Sequence, residues 1–385
     1  MAHKVEFKPD DYSVPRASRY CVVPPGNEAM ATLNYKSLLT KRMDRTALID
    51  GMKKVGFPWT TAPIRSSTWK TYKECPRKFM FQYRFGLKAH EYVPALYRGQ
   101  VCHWIREALW TGATHQEALV GVGRIADEMT KQLQDMTNEI GILPNGRDLE
   151  ATLTEHDRLI QKCRAMMLAL DAAYPINRDR WDIVEVEQLY DHKYPGLYAH
   201  VRTIPDAILR EKDSGDLWLS QLKTTEVDPL SWRFGLDFDF QTKLERLVTH
   251  LAGRETVGTI HEIVKLPTIR QKRNQTFPEY MEEVRQWYQK KLRETPNNPP
   301  LVRSLVRWTE PVVTEEFLVQ LQEMSRACAA RPNPNRYYRV RACNGKYGNR
   351  PCPYQVLCAS PAADWPRIAA DRFIQHFRED DEEDT

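Results

Sequence analysis

The chain has 385 residues, of which 42% are hydrophobic and 28% are charged, a balance typical of soluble globular proteins. No apolar run approaches the roughly 20 residues needed to span a bilayer, and the first residues lack a signal-peptide core, so we expect a cytoplasmic protein without a membrane segment. The net charge of +5 includes six consecutive acidic residues, 379–384, so the rest of the chain is more basic. That basic body suits a polyanion, although it equally fits a plain solvated surface.

Taken in chain order, the apolar periodicity predicts helices interleaved with strands, and therefore a mixed α/β core. Prolines interrupt residues 1–60, an expected N-terminal extension that contains one amphipathic helix over 35–54. The predicted helices begin at Ser66 with its helix-capping neighbours and continue over 100–110, 115–137, 149–174, 237–251 and 276–292. The predicted strands are 182–189, 201–209, 217–224 and 259–266. We expect one domain over 61–360 and a C-terminal helix with an acidic tail over 361–385.

Two of the strands carry residues that suit metal-assisted chemistry. Asp206 lies near the end of one strand, and Gln221-Leu222-Lys223 lies on the next. In a hairpin such positions come side by side, and a carboxylate there can bind a hard cation such as Mg²⁺. Lys223 faces the same side as Gln221 and can steady a phosphate or an attacking water. The pattern indicates metal-assisted phosphodiester cleavage, although a lone Asp206 is also common as a plain strand-end residue.

These residues resemble the PD-(D/E)XK motif of the restriction-endonuclease-like superfamily, in the order Asp206, then 221–224. Upstream, Gly-Gln-Val-Cys-His at 99–103 is similar to the Gly-x-x-x-His motif of the RecB-like branch, in which the histidine binds metal. The resemblance runs over about 66–360 and opens with 67–87, including Cys75. It implies a restriction-endonuclease-like α/β fold, a mixed sheet flanked by helices with helical insertions. It also implies Mg²⁺ or Mn²⁺ held by His103, Asp206 and Gln221, with Asp206, Gln221, Lys223 and Gln241 as the catalytic set.

The sequence departs from the family pattern at position 221. Gln221 stands where the pattern has Asp or Glu, and an amide oxygen is a poorer metal ligand because it carries no net charge. Glu245 follows Gln241 by four residues, where the family often has a tyrosine. Glu187 leaves two interpretations open, because it either flanks the metal site or solvates one face of a strand.

Four of the eight cysteines resemble the cluster ligands of AddB-type and CRISPR-associated RecB-like nucleases. The resemblance implies that Cys75 joins Cys343, Cys352 and Cys358 around a [4Fe–4S] cluster, which ties the two ends of the domain together. A Cys₄ zinc site stays open as an alternative, although the short-spaced cysteine doublets of a zinc ribbon are missing. The remaining cysteines are interpreted as packing residues: Cys21, Cys102, Cys163 and Cys328.

Two basic stretches are candidates for contact with DNA, since arginines hold phosphates and aromatic rings stack on unpaired bases; a solvated loop is the alternative for both. The first comprises Lys265, Arg270, Lys272 and Arg273. The second comprises Arg336, Tyr337, Tyr338 and Arg339, flanked by Arg331 and Arg341. The resemblance implies a DNA exonuclease in recombination, repair or DNA-end processing, with a repair partner and compatible with a phage origin. The alternatives are a non-cleaving DNA-binding module of the same fold and a structural metalloprotein.

Overall fold

The computed structural model describes residues 61–89, 94–140, 149–231, 239–272, 274–330, 332 and 352–375. Several sequence predictions lie outside the described residues. These are the helix over 35–54, Cys21, Arg273, Arg331, Cys343, the basic and aromatic stretch 336–341, and the acidic tail.

Helices and strands alternate through most of the described chain. The main helices are α1 (Ser66–Glu74), α2 (Pro76–Phe79), α3 (Pro94–Trp110), α4 (His115–Ile140), α5 (Leu149–Ala173), α6 (Phe240–Leu251), α7 (Phe277–Glu294), α8 (Glu315–Ala329), α9 (Gln355–Ala359) and α10 (Trp365–Arg372). The strands are β1 (Leu87–Ala89), β2 (Trp181–Val186), β3 (Tyr190–His192), β4 (Val201–Thr203), β5 (Ala207–Glu211), β6 (Leu217–Thr225), β7 (Thr256–Lys265), β8 (Leu301–Arg307) and β9 (Phe373–Gln375). No helix in these ranges is long and apolar enough to cross a membrane.

The core is a five-stranded mixed sheet in the order β2-β5-β6-β7-β8. β6 and β7 run parallel, and the other neighbours are antiparallel. Side chains of β6 alternate between two apolar layers: Leu219 packs with Leu244 of α6, and Leu222 packs with Ile105 of α3 and Met166 of α5. Helices therefore cover both faces of the sheet, which confirms the predicted restriction-endonuclease-like α/β fold.

The predicted single strand over 201–209 is wrong, because the chain forms two strands there. β4 pairs with β3 in a small separate sheet, and β5 joins the main sheet between β2 and β6. Pro205 lies between the two strands, and proline cannot donate a hydrogen bond to a strand ladder. The break places Asp206 immediately before the first residue of β5.

The two ends of the described chain pack against each other. β1 pairs with β9, the hydroxyl of Tyr354 donates a hydrogen bond of 2.6 Å to the carbonyl of Leu87, and Phe81 stacks on the Tyr354 ring. The segment after Cys75 is thereby joined to the segment that carries Cys352 and Cys358.

Candidate active site

Asp206 lies immediately before the first residue of β5, where the edge of β6 becomes free. The last paired residues there are Ala207 and Ser220, so the backbone amide of Leu222 has no strand partner on this side. The carboxylate of Asp206 accepts a hydrogen bond of 2.6 Å from that amide. Burial alone would raise the pKa of Asp206, but the positive charges of His103 and Lys223 hold it below its ordinary value.

His103 faces this carboxylate from α3. Its Nδ1 lies 3.2 Å from Asp206 Oδ1 and 3.8 Å from Glu187 Oε1. Burial opposes a charge on the ring, but the two carboxylates outweigh that effect and raise the pKa of His103 to about 10. A metal cation would have to replace this proton, because both bind the same nitrogen electron pair in the field of the same two carboxylates.

Glu187 completes the group because its backbone leaves the extended conformation. Its φ is 47°, in the left-handed region, which costs an L-residue about 1–2 kcal/mol. Two positions earlier, Glu185 binds Arg254 Nε at 2.7 Å, whereas the carboxylate of Glu187 lies against the His103 ring. Burial raises the pKa of Glu187.

His103, Glu187 and Asp206 are the described His, Cys, Asp and Glu residues that form a compact group of possible metal ligands. One ligand atom from each lies within 4.8 Å of the other two. One imidazole nitrogen and two carboxylate oxygens form a donor set that suits Mg²⁺ or Mn²⁺. Of the predicted metal ligands, the structure brings His103 and Asp206 together, and it adds Glu187.

Gln221 and Lys223 lie on the α6 side of β6, where they enter a chain of hydrogen bonds. Gln221 is fully buried; its Nε2 donates to Glu245 at 2.5 Å, and its Oε1 accepts from Thr242 at 3.3 Å. Lys223 Nζ donates to Gln241 Oε1 at 2.6 Å, and Gln241 Nε2 donates to Glu245 at 2.7 Å. Both polar atoms of the Gln221 amide therefore contact α6, and its role as a metal ligand stays a prediction.

Two carboxylic acids beside the site were not predicted as functional residues. Burial raises the pKa of Glu107 to about 8, and the nearby charge of Glu187 adds to this effect. Burial likewise raises the pKa of Glu245 to about 7, against the positive charge of Lys223. Helical spacing signalled both, since Glu107 follows His103 and Glu245 follows Gln241 by four residues, on the same helix face.

Glu262 lines the same narrow pocket as His103 and Asp206 but is already neutralised. Arg106 binds both of its carboxylate oxygens, at 2.8 and 2.5 Å, and Arg303 binds it at 2.5 Å. Its side chain is 2% exposed. An acid paired with two arginines has little charge left for a cation, so Glu262 belongs to the structural support of the sheet.

The sequence also matches a known family over most of its length. Residues 66–359 match the model of the PD-(D/E)XK nuclease superfamily. The chain belongs to this superfamily. A comparison with curated proteins finds no match. The RecB-like branch, the exonuclease mode and the iron–sulfur cluster remain predictions.

Beside the PD-(D/E)XK core, Arg98 and Arg270 lie within electrostatic range of Lys162. Burial lowers the pKa of Lys162 on α5, and the charges of Arg98 and Arg270 lower it further. Arg98 precedes His103 on α3 and contacts Glu226 at 3.2 Å. Of the predicted DNA contacts, the structure describes Lys265, Arg270 and Lys272; Arg98 and Lys162 were missed because their proximity depends on how α3 and α5 pack.

The described cysteines of the nuclease domain comprise three predicted cluster ligands and three predicted packing residues. Cys75 is buried and accepts a hydrogen bond of 3.4 Å from the Lys78 amide, which makes it the N-cap of α2. Cys358 is buried on α9, and Cys352 is half-buried before it. The predicted packing residues Cys102, Cys163 and Cys328 are fully buried.

Proposed function

We propose that the protein is a metal-dependent DNA nuclease of the RecB-like class. The observation that carries the proposal is the grouping of His103, Glu187 and Asp206 at the start of β5, on a PD-(D/E)XK core. One imidazole nitrogen and two carboxylate oxygens so close to one another favour a divalent cation, and backbone strain at Glu187 fits a functional site, where such strain tends to be found.

The donor set fits Mg²⁺ or Mn²⁺ by its chemistry. His103 Nδ1, a Glu187 oxygen and an Asp206 oxygen would hold the ion. The Leu222 amide fixes the Asp206 carboxylate and so limits the reorganisation that binding requires. When bound, the cation supplies positive charge to the scissile phosphate and lowers the pKa of a water nucleophile.

The remaining polar groups position the reactants. Lys223 is held by Gln241 at 2.6 Å, so its ammonium is fixed near Asp206, where it can bind a phosphate oxygen or orient water. Glu107, with a pKa of about 8, can hold or release a proton near neutral pH.

DNA would approach over the basic residues beside α3 and α5. Arg98, Lys162 and Arg270 are candidates to bind the strand that leaves the metal site, and Lys265 and Lys272 extend this surface. Contacts to phosphates give affinity without sequence preference, which suits an enzyme that degrades DNA from an end. We place this activity in recombination, repair or DNA-end processing, with a protein partner that supplies the DNA end.

We also propose that Cys75, Cys343, Cys352 and Cys358 hold a [4Fe–4S] cluster. The packing of β1 on β9 and of Tyr354 on Leu87 supports this, because it brings the two cysteine-bearing segments of the described chain into one region. Thiolate ligands suit iron–sulfur clusters, and zinc is the less favoured occupant.

A non-cleaving DNA-binding module is the second candidate function. The neutral Gln221 favours it, since position 221 holds an acid in the family pattern and the loss of that charge weakens cation binding.

The test compares the protein with its Asp206→Asn variant on end-labelled single-stranded, double-stranded and closed circular DNA. The substitution preserves the size of the side chain but removes its charge. We expect a loss of at least about 100-fold in Mg²⁺- or Mn²⁺-dependent cleavage, because the cation contributes several kcal/mol to the barrier. DNA affinity should persist.

Asp182→Asn, at an exposed position on β2, is the matched control and should cut normally. Cleavage of ends but not of circles supports the exonuclease mode. DNA binding without cleavage in either metal would favour the binding module, and equal cleavage by Asp206→Asn would refute the assigned site.

A further inference from the structure

A fully buried carboxylate faces the residue where the family acid is missing. Glu245 is 0% exposed, and one of its oxygens lies 2.5 Å from Gln221 Nε2. The other oxygen lies 2.7 Å from Gln241 Nε2. Both oxygens therefore accept hydrogen bonds from side-chain amides of the candidate active site.

A buried carboxylate is costly unless opposite charge compensates it. Amide hydrogen bonds satisfy the Glu245 oxygens but supply no net positive charge. Lys223 supplies such charge through Gln241, whose Oε1 accepts from the Lys223 ammonium. Glu245 is thus linked to Lys223 by one amide and to strand β6 by another.

The pair at 221 and 245 places the negative charge differently from the family pattern. The family pattern has an acid on the strand, two residues before the lysine, whereas this chain has the amide on the strand and the acid on α6. Compared with that pattern, the negative charge lies on the other partner of the Gln221–Glu245 hydrogen bond.

We propose that Gln221 and Glu245 form an exchanged amide–acid pair, in which the ionised Glu245 carboxylate supplies the negative charge that position 221 lacks. Glu245 is a positioning residue: it orients Lys223 through Gln241 and adds negative potential to the cation site formed by His103, Glu187 and Asp206. The inference rests on the proposed function, because it assigns Glu245 a part in that same metal site.

The exchanged pair determines how the protein should respond when an acid is restored at position 221. Gln221→Glu alone would replace the donor nitrogen by a carboxylate oxygen about 2.5 Å from Glu245, and two carboxylates that close cannot both ionise. The single substitution is therefore expected to impair the protein rather than activate it. The double variant Gln221→Glu/Glu245→Gln keeps one charge and one amide at the same contact.

The experiment compares the protein, both single variants and the double variant. Mn²⁺ affinity is measured from the paramagnetic resonance signal of the free ion. The unfolding temperature is measured in EDTA, and DNA cleavage is assayed in parallel. We expect Glu245→Gln to weaken Mn²⁺ binding by about tenfold or more and Gln221→Glu to lower the unfolding temperature. The double variant should recover most of both losses, whereas a merely structural role for Glu245 would leave Mn²⁺ affinity unchanged in Glu245→Gln.

Unchanged Mn²⁺ affinity in Glu245→Gln would overturn the inference. So would a Gln221→Glu protein that is fully stable and cuts faster without the second substitution, or a double variant no better than the worse single variant. Glu316→Gln, an exposed acid on α8, is the control for loss of a distant charge.

Asp206→Asn in the same titration separates this inference from the proposed function. If Asp206→Asn loses Mn²⁺ affinity and Glu245→Gln does not, only the exchanged pair fails. If neither variant loses affinity, the metal site itself is misplaced.

Discussion

Glu187 shows at the scale of one residue how the backbone shapes the site. Among the described residues it is the non-glycine residue with positive φ, and that dihedral turns its carboxylate towards His103. Strand periodicity could not predict this orientation, because alternation places Glu185 and Glu187 on the same side. The sequence left its role open for that reason.

We expect Glu187→Gly to stabilise the protein while weakening metal binding. Glycine adopts φ near 47° without the cost of about 1–2 kcal/mol that an L-residue bears, and it removes a half-buried carboxylate. The raised pKa of Glu187 means that the folded state favours the protonated acid. Its ionisation therefore costs stability progressively as the pH rises from the ordinary pKa of 4.5 towards the raised pKa of the folded state.

The gain in unfolding free energy should accordingly be larger at pH 8 than at pH 4.5, measured by urea denaturation in EDTA. Mn²⁺ affinity should fall, because one ligand is lost. A variant that is less stable at both pH values and binds Mn²⁺ normally would contradict this role for Glu187.

At the scale of elements, the local pattern predicted the helices better than the connections. Apolar periodicity located the helices over 149–174 and 276–292 to within a few residues of α5 and α7. The strand over 201–209 failed because the pattern is apolar on both sides of Pro205, and β8 and α8 were not predicted. Pro205 is the residue that indicates two strands in this segment, because proline has no backbone N–H to donate to a strand ladder.

The candidate site likewise contains residues that the local sequence pattern can place and residues that only the tertiary packing places. Asp206 and Lys223 could be placed near each other because strand pairing follows from sequence order. Helical spacing places Glu107 and Glu245 on the helix faces that carry His103 and Gln241, but it does not show what those faces contact. Their contacts depend on how α6 and α3 dock on the sheet, which no local pattern specifies.

The junction of α1 and α2 provides a test of the iron–sulfur proposal. Cys75 caps α2, and serine is also a good N-cap, so Cys75→Ser keeps the helix start and removes the thiolate. We expect iron and acid-labile sulfide to fall sharply and the unfolding temperature to decrease, because the two chain ends lose a covalent link.

Cys328→Ala, a buried packing position, should keep its iron although it too is less stable. Iron content unchanged in Cys75→Ser would exclude this residue as a cluster ligand.

At the scale of the whole molecule, the site lies where the sheet is incomplete. β5 begins at Ala207, opposite Ser220, while β6 continues to Thr225, which leaves an edge of β6 free between two helical layers. α3 brings His103 and Glu107 from one layer, and α6 brings Gln241 and Glu245 from the other. The fold class could be predicted from the interleaved helices and strands and from the ordered family motifs. That α3 and α6 contribute side chains from opposite faces of the sheet could be seen only in the folded structure.

The most direct measurement is the anomalous difference density of a crystal soaked in Mn²⁺. We predict one strong peak bonded to His103, Glu187 and Asp206, with Glu245 still hydrogen-bonded to Gln221. A peak at another site, or none at a Mn²⁺ concentration that supports DNA cleavage, would contradict the assignment of the metal site.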